Sequence, residues 1–206
     1  MENQITQEMY DELQRQLADE RQKVEVLTTL NATDALTGIE NHRAFNEDLK
    51  KEIGNSRRNR RKLILIMFDV DYFKDINDTG GHIWGDKVLI EMTKAVNSTK
   101  RDEDSFARRS GDEFYLLFPE ESTTDLSHFN MDRYREAIAK INRSKDGEFK
   151  PLTISIGAII IDFSHADPNN PDQNINPERL LEEVDSFLYT SKREGRDRLS
   201  TKTIVA

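Results

Sequence analysis

The chain contains no cysteine, and this absence excludes both disulfide bonds and metal sites built from thiolates. It also lacks any apolar run that approaches the roughly 20 residues needed by a membrane-spanning helix. The amino-terminal stretch is far too polar for a signal peptide. We therefore expect a cytoplasmic protein with no membrane segment in this chain.

An excess of basic residues is absent as well, since the formal net charge is −9. Binding to a nucleic-acid backbone needs dense Lys and Arg, so we expect no nucleic-acid partner. A nucleotide site remains compatible with this charge, because one site needs only a few local cations or a metal ion. Charged residues are spread between recurring apolar runs, which is typical of a globular protein.

Glycine and proline are missing from residues 1–33, which are polar and strongly helix-favouring. A heptad frame places apolar side chains on its a and d positions: Tyr10, Leu13, Leu17, Val24 and Leu27. The pattern fits either an amphipathic helix packed on the domain or a two-stranded coiled coil, although Glu20 and Asn31 interrupt it. We favour a coiled-coil stalk over 1–33 that supports a homodimer, because no other apolar face is wide enough for globular packing. The helical pattern is already present at the first residue, which is compatible with a sensor domain upstream.

Residues 34–206 alternate between helix-like and strand-like patterns, and we interpret them as one domain. The continuous apolar run 63–68 predicts a central strand buried on both faces. Other predicted strands are 106–108, 113–118, 152–161 and 203–206, and predicted helices cover 44–53, about a dozen residues after Gly85, 125–142 and 178–192. This alternation predicts an α/β sandwich with a central mixed β-sheet flanked by helices.

Two pairs of acids stand where strands end or turn. Asp69 and Asp71 follow the buried strand, and residues two apart project to one face, so a hard cation such as magnesium would relieve their repulsion. Asp112 and Glu113 lie in a tight turn, where Gly111 suits a positive φ or a close approach to a ligand. Taken separately, each pair fits equally well an ordinary polar strand end or a solvated turn.

A third group lies in the segment DYFKDINDTGGHIWGD. Asn77 and Asp86 carry side chains that can pair with the edge of a guanine, and Lys74 can meet a phosphate. His82 in the same segment fits a structural role as well as a ligand-binding one.

Five motifs occur in order: DALTGIENHRAF, FDVDYFKDINDTGGHIWGD, RDEDSFARRSGDEF, ISIGA and YTSKREGRDRL. Together they resemble, from about Asp34 to Leu199, the GGDEF family of diguanylate cyclases. The resemblance implies a palm-like fold and the condensation of two GTP into cyclic di-GMP with release of pyrophosphate. It also implies a dimer and inhibition by the product.

The resemblance implies roles for individual residues. It implies a site for Mg²⁺ or Mn²⁺, with two ions per active site, at Asp69, the Val70 carbonyl, Asp112 and Glu113. It implies catalytic roles for Asp112 (the base for the 3′-hydroxyl), Glu113 and Lys74. Substrate binding is expected from Asn77, His82, Asp86, Ser110, Gly111, Lys192 and Arg196. An inhibitory RxxD site is expected at Arg101 and Asp104.

Ser110 departs from the family signature, which has glycine there. A serine is tolerated if the backbone has a negative φ and faces solvent, and is strained if φ is positive. Three alternatives remain open at this point. The first is a degenerate domain that only binds cyclic di-GMP or GTP as a receptor. The second is a cyclase for adenine-containing dinucleotides, and the third is an interaction protein that acts through its coiled coil.

Overall fold

The computed structural model describes residues 2–120, 131–166 and 175–205, and the chain divides into two units, Met1–Thr33 and Asp34–Ala206. The first unit is a single helix, α1 (Glu2–Ala32). Tyr10, Leu13 and Leu17, the members of the predicted seam whose side chains are described, are all exposed on it. No helix among the described residues has the length and apolar character needed to cross a membrane. The coiled coil itself stays a prediction.

The second unit is an α/β fold whose elements run in the order β1 (Glu40–Asn41), α2 (His42–Asn59), β2 (Lys62–Val70), α3 (Phe73–Gly80), α4 (His82–Asn97), β3 (Ser105–Ser110), β4 (Glu113–Glu120), α5 (Asp132–Ala139), β5 (Ile154–Asp162), α6 (Pro177–Arg193) and β6 (Leu199–Val205). The strands form one sheet in the order β1-β3-β4-β2-β5-β6. The central pairs are antiparallel and the two edge pairs are parallel. The predicted fold class, a mixed sheet flanked by helices, is therefore confirmed.

Strand β2 lies at the centre of the sheet, and eight of its nine residues are buried. Alternate side chains enter two separate cores because successive residues of a strand point to opposite faces. One core holds side chains of β2 together with α4 and α5: Ile64, Ile66, Phe68, Val88, Met92 and Ile138. The other holds side chains of β2 together with α2 and α6: Leu63, Leu65, Met67, Phe45, Leu49, Val184 and Leu188. Burial on both faces explains why this strand shows no polar alternation.

Several predicted boundaries were wrong. Helix α3 was not predicted, and α4 begins at His82 instead of after Gly85. Gly81 alone, with φ 82°, separates the two helices. Strand β6 spans Leu199–Val205 because it pairs along most of β5, so the predicted 203–206 was too short. The predicted helix 125–142 is seen only as α5, and 121–130 lies outside the described residues.

Gly157 in β5 sets the distance between the sheet and α6. A Cβ at this position would lie 2.4 Å from both the Leu188 amide nitrogen and the Val184 carbonyl oxygen. We predict that Gly157→Ala lowers the free energy of unfolding by about 2–3 kcal/mol, because helix backbone cannot yield as a flexible side chain can. Urea unfolding measures this loss.

Gly54 in α2 supplies the matched control, since a Cβ there would meet nothing within 4 Å. Gly54→Ala should raise the free energy of unfolding by about 0.5–1 kcal/mol through helix propensity. The same substitution is thus expected to change the free energy of unfolding in opposite directions at the two sites. A neutral Gly157→Ala variant would contradict the close packing of α6.

Candidate active site

The register between β2 and β4 brings the predicted acids together. Asp69, near the end of β2, lies opposite Glu113, the first residue of β4. The Val70 amide donates a hydrogen bond to the Asp112 carbonyl oxygen at 3.2 Å. Two segments more than 40 residues apart in the sequence therefore place their carboxylates at the same end of the central strands β2 and β4. We call this end of the sheet the acid edge.

The turn between β3 and β4 carries the serine that departs from the family signature. Ser110 is exposed and lies outside the left-handed region, which is occupied by the next residue, Gly111, with φ 55°. The serine therefore adds no backbone strain. Of the two outcomes considered for Ser110, the structure supports tolerance.

Burial and mutual repulsion make the acids of this edge costly to ionise. Asp69 is only 7% exposed, and its burial, assisted by the nearby charges of Asp112 and Glu113, raises its pKa to about 6. Lys192 opposes the shift, with Nζ 2.7 Å from Asp69 Oδ2. Burial also raises the pKa of Asp112. The edge thus favours a cation, and Lys192 supplies one positive charge.

The donor set suits a hard divalent cation, because it consists of carboxylates and a backbone carbonyl. Among the described residues, no three His, Asp or Glu side chains are gathered closely enough to hold a metal as they stand. Glu113 turns instead toward Arg109, with 3.0 Å between Oε2 and the guanidinium. Side-chain rotation of Glu113 would be required to complete a metal site.

The end of α6 contributes cations to the same edge. Lys192 reaches Asp69, and the Arg196 guanidinium lies 4.8 Å from the centre of the Tyr72 ring. Tyr72 directly precedes α3 and has φ 58°. Residues from β2, β4 and α6 therefore converge, and their roles in binding metal and substrate stay predictions.

Helices α3 and α4 hold the residues predicted to read a base. Asn77 is half-buried on α3, whereas Asp86 and His82 are exposed on α4. A Cβ on Gly85 would lie 2.0 Å from Asn77 Oδ1, so glycine is required at this position for Asn77 to sit against α4. Lys74 is exposed in the first turn of α3.

Arg101 and Asp104, the residues of the predicted inhibitory site, lie just before the other end of β3, roughly 17 Å along the strand from the signature turn. The Arg101 amide donates to Asp104 Oδ2 at 2.8 Å, and the Arg101 guanidinium pairs with Glu120 at 3.0 Å. Asp104 Oδ1 is buried and has no hydrogen-bond partner within the described ranges.

Sequence reasoning missed one residue that supports the turn. Arg108 donates two hydrogen bonds to the Gly111 carbonyl and one to Asp34 Oδ1. The same Asp34 oxygen accepts a hydrogen bond from the Thr37 amide. Arg108 lies inside the motif ARRSGDEF, yet nothing in the sequence identified Asp34 as its partner. The contact joins the signature turn to the DALTG segment.

The sequence profile of the family described as "Diguanylate cyclase, GGDEF domain" matches residues 31–198. The chain belongs to this family. Among curated GGDEF relatives, Diguanylate cyclase DgcP of Pseudomonas aeruginosa is 37% identical over 183 residues, or 89% of this chain. Diguanylate cyclase DosC of Escherichia coli K12 is 34% identical over 188 residues, or 91% of this chain. The chain spans only 25% and 37% of the lengths of those two relatives.

Solved GGDEF structures share the fold. The coiled coil and GGDEF domain of DgcB from Caulobacter crescentus, in complex with c-di-GMP, has a TM-score of 0.71 and 25% identity, and the match covers 92% of this chain and 99% of that one. Diguanylate cyclase SiaD from Pseudomonas aeruginosa, in complex with its activator SiaC, also has a TM-score of 0.71, with 28% identity over 96% of this chain and 76% of that one. The predicted family resemblance is thus confirmed.

The raised pKa of Asp69 predicts a pH-dependent stability for the metal-free GGDEF domain. Since the folded pKa of about 6 exceeds the ordinary value of 3.8, ionisation of Asp69 costs stability as the pH rises from about 4 to about 6. Asp69→Asn, which mimics the neutral acid, should therefore raise the free energy of unfolding at pH 7.5 by about 2–3 kcal/mol, since the pKa of about 6 already includes the ion pair with Lys192.

Urea unfolding in a chelator at pH 4 and pH 7.5 measures this effect, and the gain should vanish at pH 4. Asp48→Asn serves as the control, because Asp48 pairs with Lys51 on the outer face of α2. A variant less stable than the original at pH 7.5 would mean that the ion pair with Lys192 outweighs the burial of Asp69.

Proposed function

We propose that this chain is a diguanylate cyclase, which condenses two GTP into cyclic di-GMP and releases pyrophosphate. The observation that carries the proposal is the convergence of Asp69, Asp112 and Glu113 with Lys192 at the acid edge. Phosphoryl transfer needs charge neutralisation and positioning more than covalent help, and this edge offers both signs of charge. The family and its curated members support the same reaction. We place the reaction in the cytoplasm, where GTP is available.

Mg²⁺ or Mn²⁺, with two ions per site, would be held by Asp69, the Val70 carbonyl, Asp112 and Glu113. When bound, such ions neutralise charge on the phosphates and stabilise the attacking and leaving oxygens. The raised pKa of Asp69 and of Asp112 supports this assignment, because a buried acid cluster favours cations.

The remaining residues bind and orient the nucleotide. Asp112 accepts the proton of the 3′-hydroxyl, for which a carboxylate with a raised pKa is better suited than an ordinary one. Lys192, Arg196 and Lys74 hold the phosphates. The amino terminus of α3 follows directly on the acid edge, and its free backbone amides favour an anion there.

Asn77 and Asp86 read the guanine. A carboxylate accepts from the guanine N1–H and N2–H but faces an acceptor on adenine, so adenine would leave the polar groups that contact the base unpaired. Gly85 supports this pairing, since it leaves room for Asn77 against α4. Ser110, Gly111 and His82 line the nucleotide in this proposal.

A catalytically degenerate receptor is the second candidate. The observations against it are that the three acids of the proposed metal site, Asp69, Asp112 and Glu113, are all present and that Ser110 needs no strained backbone. Only an assay separates the two functions.

Turnover of GTP with Mg²⁺ tests the proposal. We expect the intact chain to release pyrophosphate, and Asp112→Asn to lower the rate at least about a hundredfold through loss of charge at the acid edge. ATP should react at least about a hundredfold more slowly than GTP. Asp48→Asn, on the outer face of α2, should keep the full rate. A folded chain that binds cyclic di-GMP without turnover would favour the receptor.

We also propose that product binds at Arg101 and Asp104 and inhibits the enzyme. The unpartnered Asp104 Oδ1 supports a donor-bearing ligand such as guanine. Calorimetry should show that Arg101→Ala weakens cyclic di-GMP binding about tenfold or more, through loss of a charged hydrogen bond. Arg58→Ala, an exposed arginine of α2, should bind as the original does. If both variants bound cyclic di-GMP with equal affinity, the proposed inhibitory site would be wrong.

Two copies must cooperate, since each GTP is both nucleophile and electrophile and one domain carries one guanine-reading pair. We propose a weak parallel dimer through the stalk, whose apolar seam over 10–27 runs about 25 Å. The exposure of Tyr10, Leu13 and Leu17 on α1 supports this assembly. The relative whose solved structure comprises a coiled coil and GGDEF domain is consistent with it.

Specific activity should therefore rise with enzyme concentration, up to about tenfold per tenfold increase at high dilution. Deletion of residues 1–30 should make this dependence steeper, and Leu17→Gln should do so partially. Arg15→Gln, off the seam, is the control. Flat specific activity where light scattering shows monomer would mean that one chain completes the reaction alone.

A further inference from the structure

Asp71 follows β2 directly and is the most buried acid at the acid edge, with 1% exposure. Both of its carboxylate oxygens are engaged by the protein. Oδ1 accepts a hydrogen bond from Ser155 Oγ at 2.6 Å, and Oδ2 accepts one from the Asp197 amide at 3.0 Å. Asp71 therefore joins β2 to the turn that follows α6.

That turn has a backbone conformation that needs support. Gly195, Arg196 and Asp197 have φ values of 116°, 64° and 46°, so two residues with side chains occupy the left-handed region in succession. Such a conformation is unfavourable for a residue with a side chain unless surrounding contacts stabilise it. The Asp71 carboxylate holds the Asp197 amide from inside. Arg135 holds the Asp197 carbonyl and carboxylate from outside, each at 2.9 Å.

The turn determines where Arg196 points. Its guanidinium lies over the ring of Tyr72, which is the residue after Asp71. Asp71 thus controls the Arg196 backbone through Asp197 and borders the aromatic surface on which the Arg196 side chain rests.

We propose that Asp71 is a positioning residue that presents Arg196 to the nucleotide phosphates by anchoring the 195–197 turn, and that it is not a metal ligand. This inference rests on the proposed function for the role of Arg196. The contacts carry the second part, since the buried Asp71 carboxylate is held by the Ser155 hydroxyl on one oxygen and the Asp197 amide on the other, and so is used within the protein. Proximity in sequence to Asp69 had suggested that the two acids share a metal, and the contacts point elsewhere.

The two roles make different demands on residue 71. A positioning residue needs an acceptor for the Asp197 amide, whereas a metal ligand needs the negative charge. Asp71→Asn keeps the acceptor, because its Oδ1 can accept from Asp197 while Nδ2 donates to the Ser155 hydroxyl oxygen. Asp71→Ala removes the acceptor and the charge together.

Binding of an unreactive GTP analogue in Mg²⁺ tests the proposal. We expect Asp71→Ala to weaken binding about tenfold, the value of one charged hydrogen bond to phosphate, and Asp71→Asn to weaken it less than about threefold. Mn²⁺ alone, followed by its electron paramagnetic resonance, should bind both variants as it binds the unsubstituted chain, since Asp71 is not a metal ligand; loss of Mn²⁺ binding in both variants would overturn that part. Equal loss of analogue binding in Ala and Asn variants would overturn the proposal.

Two further measurements separate positioning from general damage. Exchange of the Asp197 amide, followed by NMR, should quicken in Asp71→Ala and stay slow in Asp71→Asn. Arg135→Ala, which loosens the same turn from its exposed side, should weaken analogue binding in the same direction even if Asp71→Ala folds poorly. Unchanged binding in Arg135→Ala with a loosened turn would count against the proposal.

A double variant identifies the route of the effect. Arg196→Ala should weaken analogue binding, and Asp71→Ala added to it should cause no further loss, because Asp71 acts through Arg196. If Arg196→Ala alone has no effect, the proposed phosphate role of Arg196 fails. If Arg196→Ala weakens binding and Asp71→Ala does not, only the positioning role fails.

Discussion

The site depends on a strand that is buried on both faces and ends in a carboxylate. Because β2 lies at the centre of the sheet, Asp69 is carried into an environment where its charge is poorly solvated. Burial of an unpaired charge is costly, so the structure must provide a cation nearby. Lys192 meets that need within the protein, and the same requirement makes the edge attractive to a divalent ion.

Strain accumulates at the same end of the sheet as the charge. Of the four described residues with side chains and positive φ, Tyr72, Arg196 and Asp197 lie there, whereas Arg60 ends α2. Such conformations persist only where surrounding contacts hold them, and they cluster at functional sites. The hydrogen bonds of Asp71 and Arg135 to Asp197 are contacts of this kind.

Much of the fold could be predicted because its main elements show clear patterns of apolar residues in the sequence. The apolar run over 63–68 and the helical periodicity of α2 and α6 follow directly from side-chain chemistry. Helix α3 was missed because it is only eight residues long and mostly polar, with one glycine at its last position and another directly after it, a combination typical of a loop. Strand β1 has only two residues and exists through its pairing with β3, so no local pattern predicts it.

The order and spacing of the motifs were sufficient to assign the family and to name the acids, because residue identity is written in the chain. Contacts between distant segments could not be predicted from the motifs, since they depend on strand register and helix packing. Register made Glu113 the partner of Asp69, and packing turned Lys192 toward that acid. Backbone geometry left Ser110 unstrained. Tertiary contacts also separated Asp69 from Asp71, two acids that look equivalent in the sequence. Asp69 lies opposite Glu113 within the sheet, whereas Asp71 lies just beyond β2 and accepts hydrogen bonds from Ser155 and the Asp197 amide.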